Sequence, residues 1–181
     1  GNSFENFATV GRRVALILDR SNHYAESGGQ EGDRGRFRVD LATDTLEEIA
    51  GRPERGGTTF EIADTQSVGG YVLHLGHVTE GTLHVGERGT LSVTRDRRDG
   101  LRANHTATHL LNLALRQVIG ETDQRGSLVA ADRLRFDFSS PRPLTIDEVA
   151  CIEEMVEAAI AADLPVHAEI VPLAKVCGIK E

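Results

Sequence analysis

Glycines divide the first half of the chain at short intervals, and this spacing restricts it to short elements. Runs of β-branched and apolar residues occupy residues 14–18, 68–78 and 90–94. Short strands separated by turn residues are typical of all-β domains. The glycines that break these runs are Gly69, Gly70, Gly76, Gly81, Gly86 and Gly89. We therefore predict a small barrel or a sandwich over residues 1–95, with an exposed loop at residues 51–58.

The second half of the chain has the pattern of helices. One is predicted over residues 105–119, with Asn104 as its N-cap, because a side-chain oxygen there can accept from the free N–H groups of the first turn. Another is predicted over residues 146–162. Thr145 is its candidate cap, and Glu148 stands at the capping-box position three residues later.

Two strands are expected beside these helices. Residues 134–138 alternate apolar and polar side chains, as a half-buried strand does, and residues 166–171 repeat that alternation. The order is thus helix, strand, helix, strand. We predict an α+β protein of two small domains, residues 1–95 and 96–181.

Charge and composition narrow the possible functions. The 181 residues are 39% apolar and 4% aromatic with no Trp, so the core must be aliphatic. The net charge of -8 argues against binding nucleic acid by bulk charge, which depends on many cationic phosphate contacts. A nucleic-acid partner would have to be held by a local patch or by another part of a larger protein. Four arginines are clustered after the β-rich part: Arg95, Arg97, Arg98 and Arg102.

The cysteines and the N-terminus bear on the cellular compartment of the protein. Cys151 and Cys177 are the only cysteines, which is no disulfide framework and favours a reducing cytoplasm. No apolar run approaches the roughly 20 residues that span a bilayer, and no signal peptide is visible. Because Gly1 is not Met, we expect a piece excised from a longer chain.

His105 and His109 carry the strongest chemical signal. Residues four apart stand on one helix face with Cβ atoms about 5–6 Å apart, so two imidazoles can converge on one Zn²⁺. They are predicted to lie off the apolar stripe of the helix, with Asn112 and Arg116, facing water or a cleft. The pattern excludes an H-E-x-x-H metalloprotease, because Thr106 stands where that motif has its Glu. The alternative is an ordinary pair of surface histidines.

A second motif, rich in turn-forming residues, is the glycine segment, which we define as residues 24–35. Taken alone, it predicts a tight turn with positive φ at Gly28 or Gly29, followed by a strand. It is not a phosphate-binding P-loop, since no Lys-Ser/Thr pair follows and no helix pattern begins there.

Together these motifs closely resemble the editing region of alanyl-tRNA synthetases and of the related freestanding editing proteins. They follow the family's order at similar intervals, from about residue 10 to the end of the chain. The threonyl-type editing domain shares the helix histidines but not, in its usual form, the glycine segment. The matching stretches are residues 24–35 (YAESGGQEGDRG), 105–111 (HTATHLL), 115–118 (LRQV), 124–129 (QRGSLV) and 134–138 (LRFDF).

The resemblance implies a small N-terminal β-barrel followed by an α+β editing domain of the type common to threonyl- and alanyl-tRNA synthetases. It implies hydrolysis of mischarged seryl- or glycyl-tRNA(Ala), with zinc held by His105, His109 and a later Cys-x-x-x-His motif. No His follows Cys177 at the required spacing, so the remaining Cys and His ligands are expected beyond residue 181. The implied partners are the acceptor end of tRNA(Ala) and the rest of the synthetase chain.

The resemblance also suggests roles for other residues. Thr108 and Gln124 are the candidate catalytic residues, because they match positions associated with substrate recognition in the family. The alternative for Thr108 is a helix hydroxyl bonded to the preceding turn, and the alternative for Gln124 is a surface amide. Contacts to substrate or tRNA are expected from Gly28, Gly29, Gln30, Arg102 and Arg116, of which the arginines could equally form a solvated surface. The alternative to an editing hydrolase is a catalytically incomplete fragment that acts as a tRNA-binding or structural module.

Overall fold

The computed structural model describes residues 3–39, 57–165 and 170–172. These residues form nine strands and two helices of a mixed α+β fold. The strands are β1 (Phe7–Thr9), β2 (Arg13–Ile17), β3 (Gly35–Val39), β4 (Thr59–Val68), β5 (Tyr71–Glu80), β6 (Thr82–His84), β7 (Gly89–Val93), β8 (Gln124–Val129) and β9 (Leu134–Phe138). The helices are α1 (Arg95–Ile119) and α2 (Ile146–Ala161).

The β-rich half is built around one antiparallel sheet in the order β2-β5-β4-β3-β7, with β1 and β6 paired beside it. The long hairpin β4–β5 turns at Gly69 and Gly70, whose φ values of 59° and 85° suit the tight two-residue turns that match strand twist. The apolar core of this half is formed by the buried side chains of Ala8, Phe37, Phe60, Ile62, Val78 and Leu83.

The sheet is open in the described part of the chain, so the prediction of a closed barrel is wrong there. The edge strands β2 and β7 are not paired with each other. Two features explain this. After β2 the chain continues into the glycine segment, which packs on α1 and β8 instead of extending the sheet. After β7 the chain passes directly into α1. The residues of β2 alternate between half-buried and exposed, because only the face that carries Val14 and Leu16 packs against the core.

The first helix is longer than predicted. α1 begins at Arg95, and Thr94 occupies the N-cap position without a side-chain cap bond. The predicted cap, Asn104, lies inside the helix, and its amide donates instead to the carbonyl of Ala130, at 2.8 Å. The extra turns are stabilised by tertiary burial, since Leu101 is fully buried.

Both α2 and β9 agree with the sequence prediction, whereas β8 was not predicted, so two strands rather than one lie between the helices. α2 begins after Thr145, whose hydroxyl accepts from the backbone N–H of Glu148, and both halves of the capping box are present. β8 and β9 form an antiparallel hairpin, and β9 covers the predicted residues 134–138. A second core joins α1, α2 and this hairpin around Ala114, Leu115 and Ile152.

Other predictions fall partly outside the described residues. These are the strand at residues 166–171, of which 170 and 171 are described and are not in a strand, and the loop at residues 51–58, of which Gly57 and Thr58 are described. Thr58 is buried, so that end of the predicted loop is not exposed. The division into domains at residue 95 stays a prediction. Neither helix in the described part combines the length and the apolar character needed to span a membrane.

Candidate functional site

His105 and His109 stand one turn apart on α1 with their rings directed towards each other. Their Nε2 atoms are 3.3 Å apart, and the ring centroids are separated by 5.1 Å. Both side chains are exposed. On the other side of the helix, Leu115 and Ala114 are buried against α2 and the β8–β9 hairpin. The histidines therefore lie on the accessible face of α1, as the helical periodicity predicted.

The spacing of the two Nε2 atoms suits a shared metal ion. Ligand nitrogens at about 2.0–2.1 Å from a tetrahedral Zn²⁺ lie about 3.3–3.4 Å apart, which matches the observed separation. Among the described residues no group of three or more His, Cys, Asp or Glu side chains could hold a metal. Cys151, on α2, is exposed, while His167 and Cys177 are outside the described residues. His105 and His109 thus fit two positions of a zinc site.

A third side chain, from the glycine segment, contacts the histidine pair. The side-chain carbonyl oxygen of Gln30 lies 2.6 Å from Nδ1 of His105. Gln30 is only 8% exposed, although the histidines that it adjoins are accessible. The tertiary structure thus joins two motifs that are 75 positions apart in the sequence.

The glycine segment makes the predicted tight turn. Gly28 and Gly29 have φ values of 59° and 85°, in the left-handed region that glycine adopts readily. Ser27 and Gln30 close the turn by exchanging backbone hydrogen bonds of 3.0 and 3.2 Å. A Cβ on Gly29 would lie 2.5 Å from the carbonyl oxygen of Ser127, on β8. Position 29 therefore requires glycine for both its conformation and its space.

Two arginines of the first turn of α1 hold the other end of the glycine segment. Arg97 donates to Glu31 at 2.6 Å and to the carbonyl of Gly32 at 3.3 Å. Arg98 binds Asp33 with two nitrogens, and the Asp33 side chain is completely buried. The sequence analysis grouped these two arginines in a basic cluster. In the structure they form ion pairs with carboxylates of the glycine segment.

The electrostatics of this contact favour the ion pair. Burial by itself would raise the pKa of Asp33, but the hydrogen bonds from Arg98 and from the backbone N–H of Tyr24 outweigh it and lower the pKa. The same pairing raises the pKa of Arg98. Asp33 is therefore ionised at neutral pH in spite of its burial.

A buried histidine pair next to Asp33 was not singled out by the sequence. His23 and His74 meet edge to face, with ring centroids 5.4 Å apart. The pKa of His23 is lowered to about 4, chiefly by burial and next by the proximity of His74, while Asp33 partly opposes the shift. Burial also lowers the pKa of His74, which hydrogen-bonds Ser21 at 2.8 Å. No periodicity marks these residues, because they come from a loop and a strand that meet only in the fold.

Two further predicted site residues are Thr108, which directly precedes His109 on α1, and Gln124, on β8. The hydroxyl of Thr108 donates to the carbonyl of Asn104 at 2.8 Å, which is the bond that its alternative interpretation expected. Gln124 is exposed at the first position of β8. Within the described residues, no hydrogen bond joins either side chain to the histidines. Their roles in recognition stay predictions.

The two predicted tRNA-contacting arginines of α1 are also exposed. Arg102 lies 3.8 Å from Asp99, and 75% of its side chain is accessible. Arg116 is in the last turn of the helix, on the same side as the histidines by helical periodicity. Both remain accessible to a polyanion, and their contacts to tRNA stay predictions.

Comparison with known proteins gives two kinds of match. A family model described as class II (A) tRNA synthetases matches residues 1–97. Alanine–tRNA ligase of Nostoc sp. is 40% identical over 169 residues, which is 93% of this chain and 17% of that protein. The mitochondrial alanine–tRNA ligase of Rattus norvegicus is 42% identical over 170 residues, which is 93% of this chain and 16% of that protein.

A third relative is matched with similar identity and coverage. Alanine–tRNA ligase of Dehalococcoides mccartyi is 42% identical over 164 residues, 90% of this chain and 17% of that protein. The chain spans about one sixth of the length of these relatives. The family-model match ends within the first turn of α1, whereas the pairwise matches cover most of the second half as well.

Proposed function

Because this chain belongs to the class II (A) family of tRNA synthetases, we propose that it is the editing part of an alanyl-tRNA synthetase. In this role it hydrolyses the ester of seryl- or glycyl-tRNA(Ala). The single observation that supports this most is the pair of accessible imidazoles on α1, with Nε2 atoms 3.3 Å apart. The identity to alanine–tRNA ligases supports the choice of alanine as the cognate amino acid.

A second site is needed for a chemical reason. A synthetic pocket shaped for alanine cannot reject the smaller glycine strongly. Serine adds only a hydroxyl, and an apolar pocket discriminates against that by about a hundredfold in comparable cases. A separate hydrolytic site that accepts the wrong products supplies the missing discrimination.

The proposed roles of this chain's residues are zinc binding, orientation of the aminoacyl group and contact with the tRNA acceptor end. His105 and His109 would hold zinc with further ligands from the longer protein. A bound zinc ion supplies a Lewis acid that can polarise the ester carbonyl, activate water or orient the substrate. Gln124 is proposed to orient the aminoacyl group, and so is Thr108 if its hydroxyl turns from Asn104. Arg102 and Arg116 are proposed to contact the acceptor end, and Gly28 and Gly29 to let the backbone approach it.

The test is deacylation of seryl-tRNA(Ala) and glycyl-tRNA(Ala) by the full-length protein that carries this chain. His109→Ala should abolish deacylation but leave alanylation and the unfolding free energy unchanged, because His109 is exposed and off the buried face. His84→Ala, at an exposed histidine of β6, is the matched control and should keep full activity. Undiminished deacylation by His109→Ala would overturn the proposal.

Gln124→Ala separates substrate orientation from tRNA affinity. We expect it to lower the rate of deacylation more than it weakens binding of tRNA(Ala). Equal losses in both measurements would make Gln124 a tRNA contact only.

The second candidate function is a catalytically incomplete module that binds tRNA or has a structural role. It is favoured by the described residues, which bring together two candidate metal ligands rather than four. Within this alternative, the net charge of -8 favours a structural role over tRNA binding. It predicts that the full-length protein, too, neither binds Zn²⁺ nor deacylates either mischarged tRNA.

A further inference from the structure

We propose that Gln30 is a positioning residue for His105, which keeps the Nε2 lone pair of that histidine available to a divalent cation. This inference rests on the proposed function, since it takes His105 as a zinc ligand. It differs from the role suggested by the resemblance, in which Gln30 contacts substrate or tRNA. It is carried by the contact between the side-chain carbonyl of Gln30 and Nδ1 of His105.

The chemistry of the two groups determines which one donates. A side-chain amide oxygen can only accept a hydrogen bond, so at 2.6 Å the Nδ1 atom of His105 must carry the proton. A neutral imidazole has one such proton, which leaves Nε2 with a free lone pair. That Nε2 is the atom directed at His109. Gln30 thus selects the tautomer that binds a metal through Nε2.

Gln30 is held firmly enough to impose this selection. Its backbone N–H and carbonyl are both bonded to Ser27 across the tight turn. On its other side it forms a parallel bridge with Val129, in which Val129 donates to Gly29 at 2.8 Å and Glu31 donates to Val129 at 3.0 Å. Only 8% of the residue is exposed, so its side chain has little room for other conformations.

The glycine segment is also attached to the helix that carries His105. Arg97 and Arg98 bind Glu31 and Asp33, which follow Gln30 closely in the sequence. The segment therefore cannot shift along α1 without breaking these ion pairs. Donor and acceptor stay in register because both ends of the contact are fixed to the same helix.

This arrangement is the one that metal-binding histidines generally need. Such a histidine usually donates its other ring N–H to a carbonyl or carboxylate, which orients the ring and raises its basicity. Loss of the partner typically weakens metal binding by about 10–100-fold. The glycine segment therefore has a defined task at the site, which is to present one amide oxygen to His105.

The first test reads the tautomer directly. Two-bond ¹H–¹⁵N NMR spectra of the metal-free 181-residue chain near pH 8 should show Nδ1 of His105 protonated and Nε2 unprotonated. Gln30→Met removes the acceptor at similar side-chain length and should shift His105 towards the other tautomer. Gln30→Glu retains an oxygen acceptor and should preserve the wild-type pattern. A wild-type His105 protonated at Nε2 would overturn the inference, even if neither variant folds.

The second test is Zn²⁺ affinity of the full-length protein, measured by competition with a chromophoric chelator. Gln30→Met should raise the Kd for Zn²⁺ by about 10–100-fold, and Gln30→Glu should restore most of the affinity. Gln117→Met, the same change at an exposed position of α1, should leave the Kd unchanged.

The outcomes separate this inference from the proposed function. If the wild-type protein binds Zn²⁺ and Gln30→Met binds it equally well, the role of Gln30 is wrong and the editing proposal stands. If the wild-type protein binds no Zn²⁺, the metal site is wrong and this inference falls with it.

Discussion

Asp33 and Arg98, which are 65 positions apart in the sequence, form an ion pair in which the carboxylate is completely buried. Arg98 contributes two nitrogens, and the backbone N–H of Tyr24 donates a further bond to Asp33 at 2.5 Å. The pair joins the glycine segment to the first turn of α1. It therefore connects the β-rich half of the chain to the helix that carries the histidines.

Arg98→Met should destabilise the protein strongly, because it leaves the buried carboxylate of Asp33 without its cation. Removing one partner of a buried pair costs about 3–5 kcal/mol, and the partial exposure of Arg98 reduces this to about 2–4 kcal/mol. Denaturant unfolding measures the change. Arg36→Met is the control: its pair with Glu61 is exposed, so about 1 kcal/mol or less is expected. Similar losses at both sites would contradict the importance assigned to burial.

Stability should fall as the pH is lowered from about 6.5 towards 4, because of His23. Its pKa is about 4 in the folded protein and near the ordinary 6.5 when unfolded, so between these values the unfolded chain binds more protons. The contribution is complete above pH 6.5 and declines to its minimum below pH 4, a change of at most about 3 kcal/mol. Burial of His74 acts in the same direction, while the lowered pKa of Asp33 matters only at more acidic pH.

Urea unfolding between pH 7.5 and pH 4.5 tests this dependence. His23→Gln should flatten the decline of the unfolding free energy, since glutamine does not titrate, although it can be less stable at neutral pH. His84→Gln changes an exposed histidine and should keep the wild-type slope. A wild-type slope in His23→Gln would show that another group causes the acid sensitivity.

Gly29→Ala should be much more disruptive than Gly28→Ala. Both positions have positive φ, which costs a non-glycine residue about 1–2 kcal/mol. At Gly28 a Cβ meets nothing within 4 Å, so no further cost is expected. At Gly29 it would lie 2.5 Å from the backbone oxygen of Ser127, which cannot move without disturbing β8. Denaturant unfolding of both variants measures the difference, and equal losses would contradict the close packing of this turn.

Local signals in the sequence predicted local structure well. The capping box of Thr145 and Glu148 marked the start of α2, because a cap depends on groups three residues apart. The spacing of His105 and His109 predicted that both lie on one accessible face of α1, since four residues make about one helical turn. Residues 134–138 were predicted as a strand from their alternation alone.

The start of α1 shows where local signals fail. Asn104 has the chemistry of a cap, but its amide is used by the carbonyl of Ala130, which lies 26 positions further along the chain. The stretch before it contains Asp96, Asp99 and Gly100, which are residue types of low helix propensity. It is helical because Leu101 is buried and because Arg97 and Arg98 bind the glycine segment. The prediction of a closed barrel was wrong for the same kind of reason, because the pairing of edge strands depends on where distant segments pack.

The sequence by itself determined the turn at Gly28 and Gly29, the cap of α2 and the common face of the two histidines. Each of these depends on backbone conformation or on groups within about one turn of each other, so residue type and spacing are sufficient. Only the tertiary structure decided that Gln30 meets His105, because that contact spans 75 positions and requires the turn, the bridge to Val129 and the pairing with α1 together. No periodicity encodes a contact whose partners become neighbours only when separate elements pack.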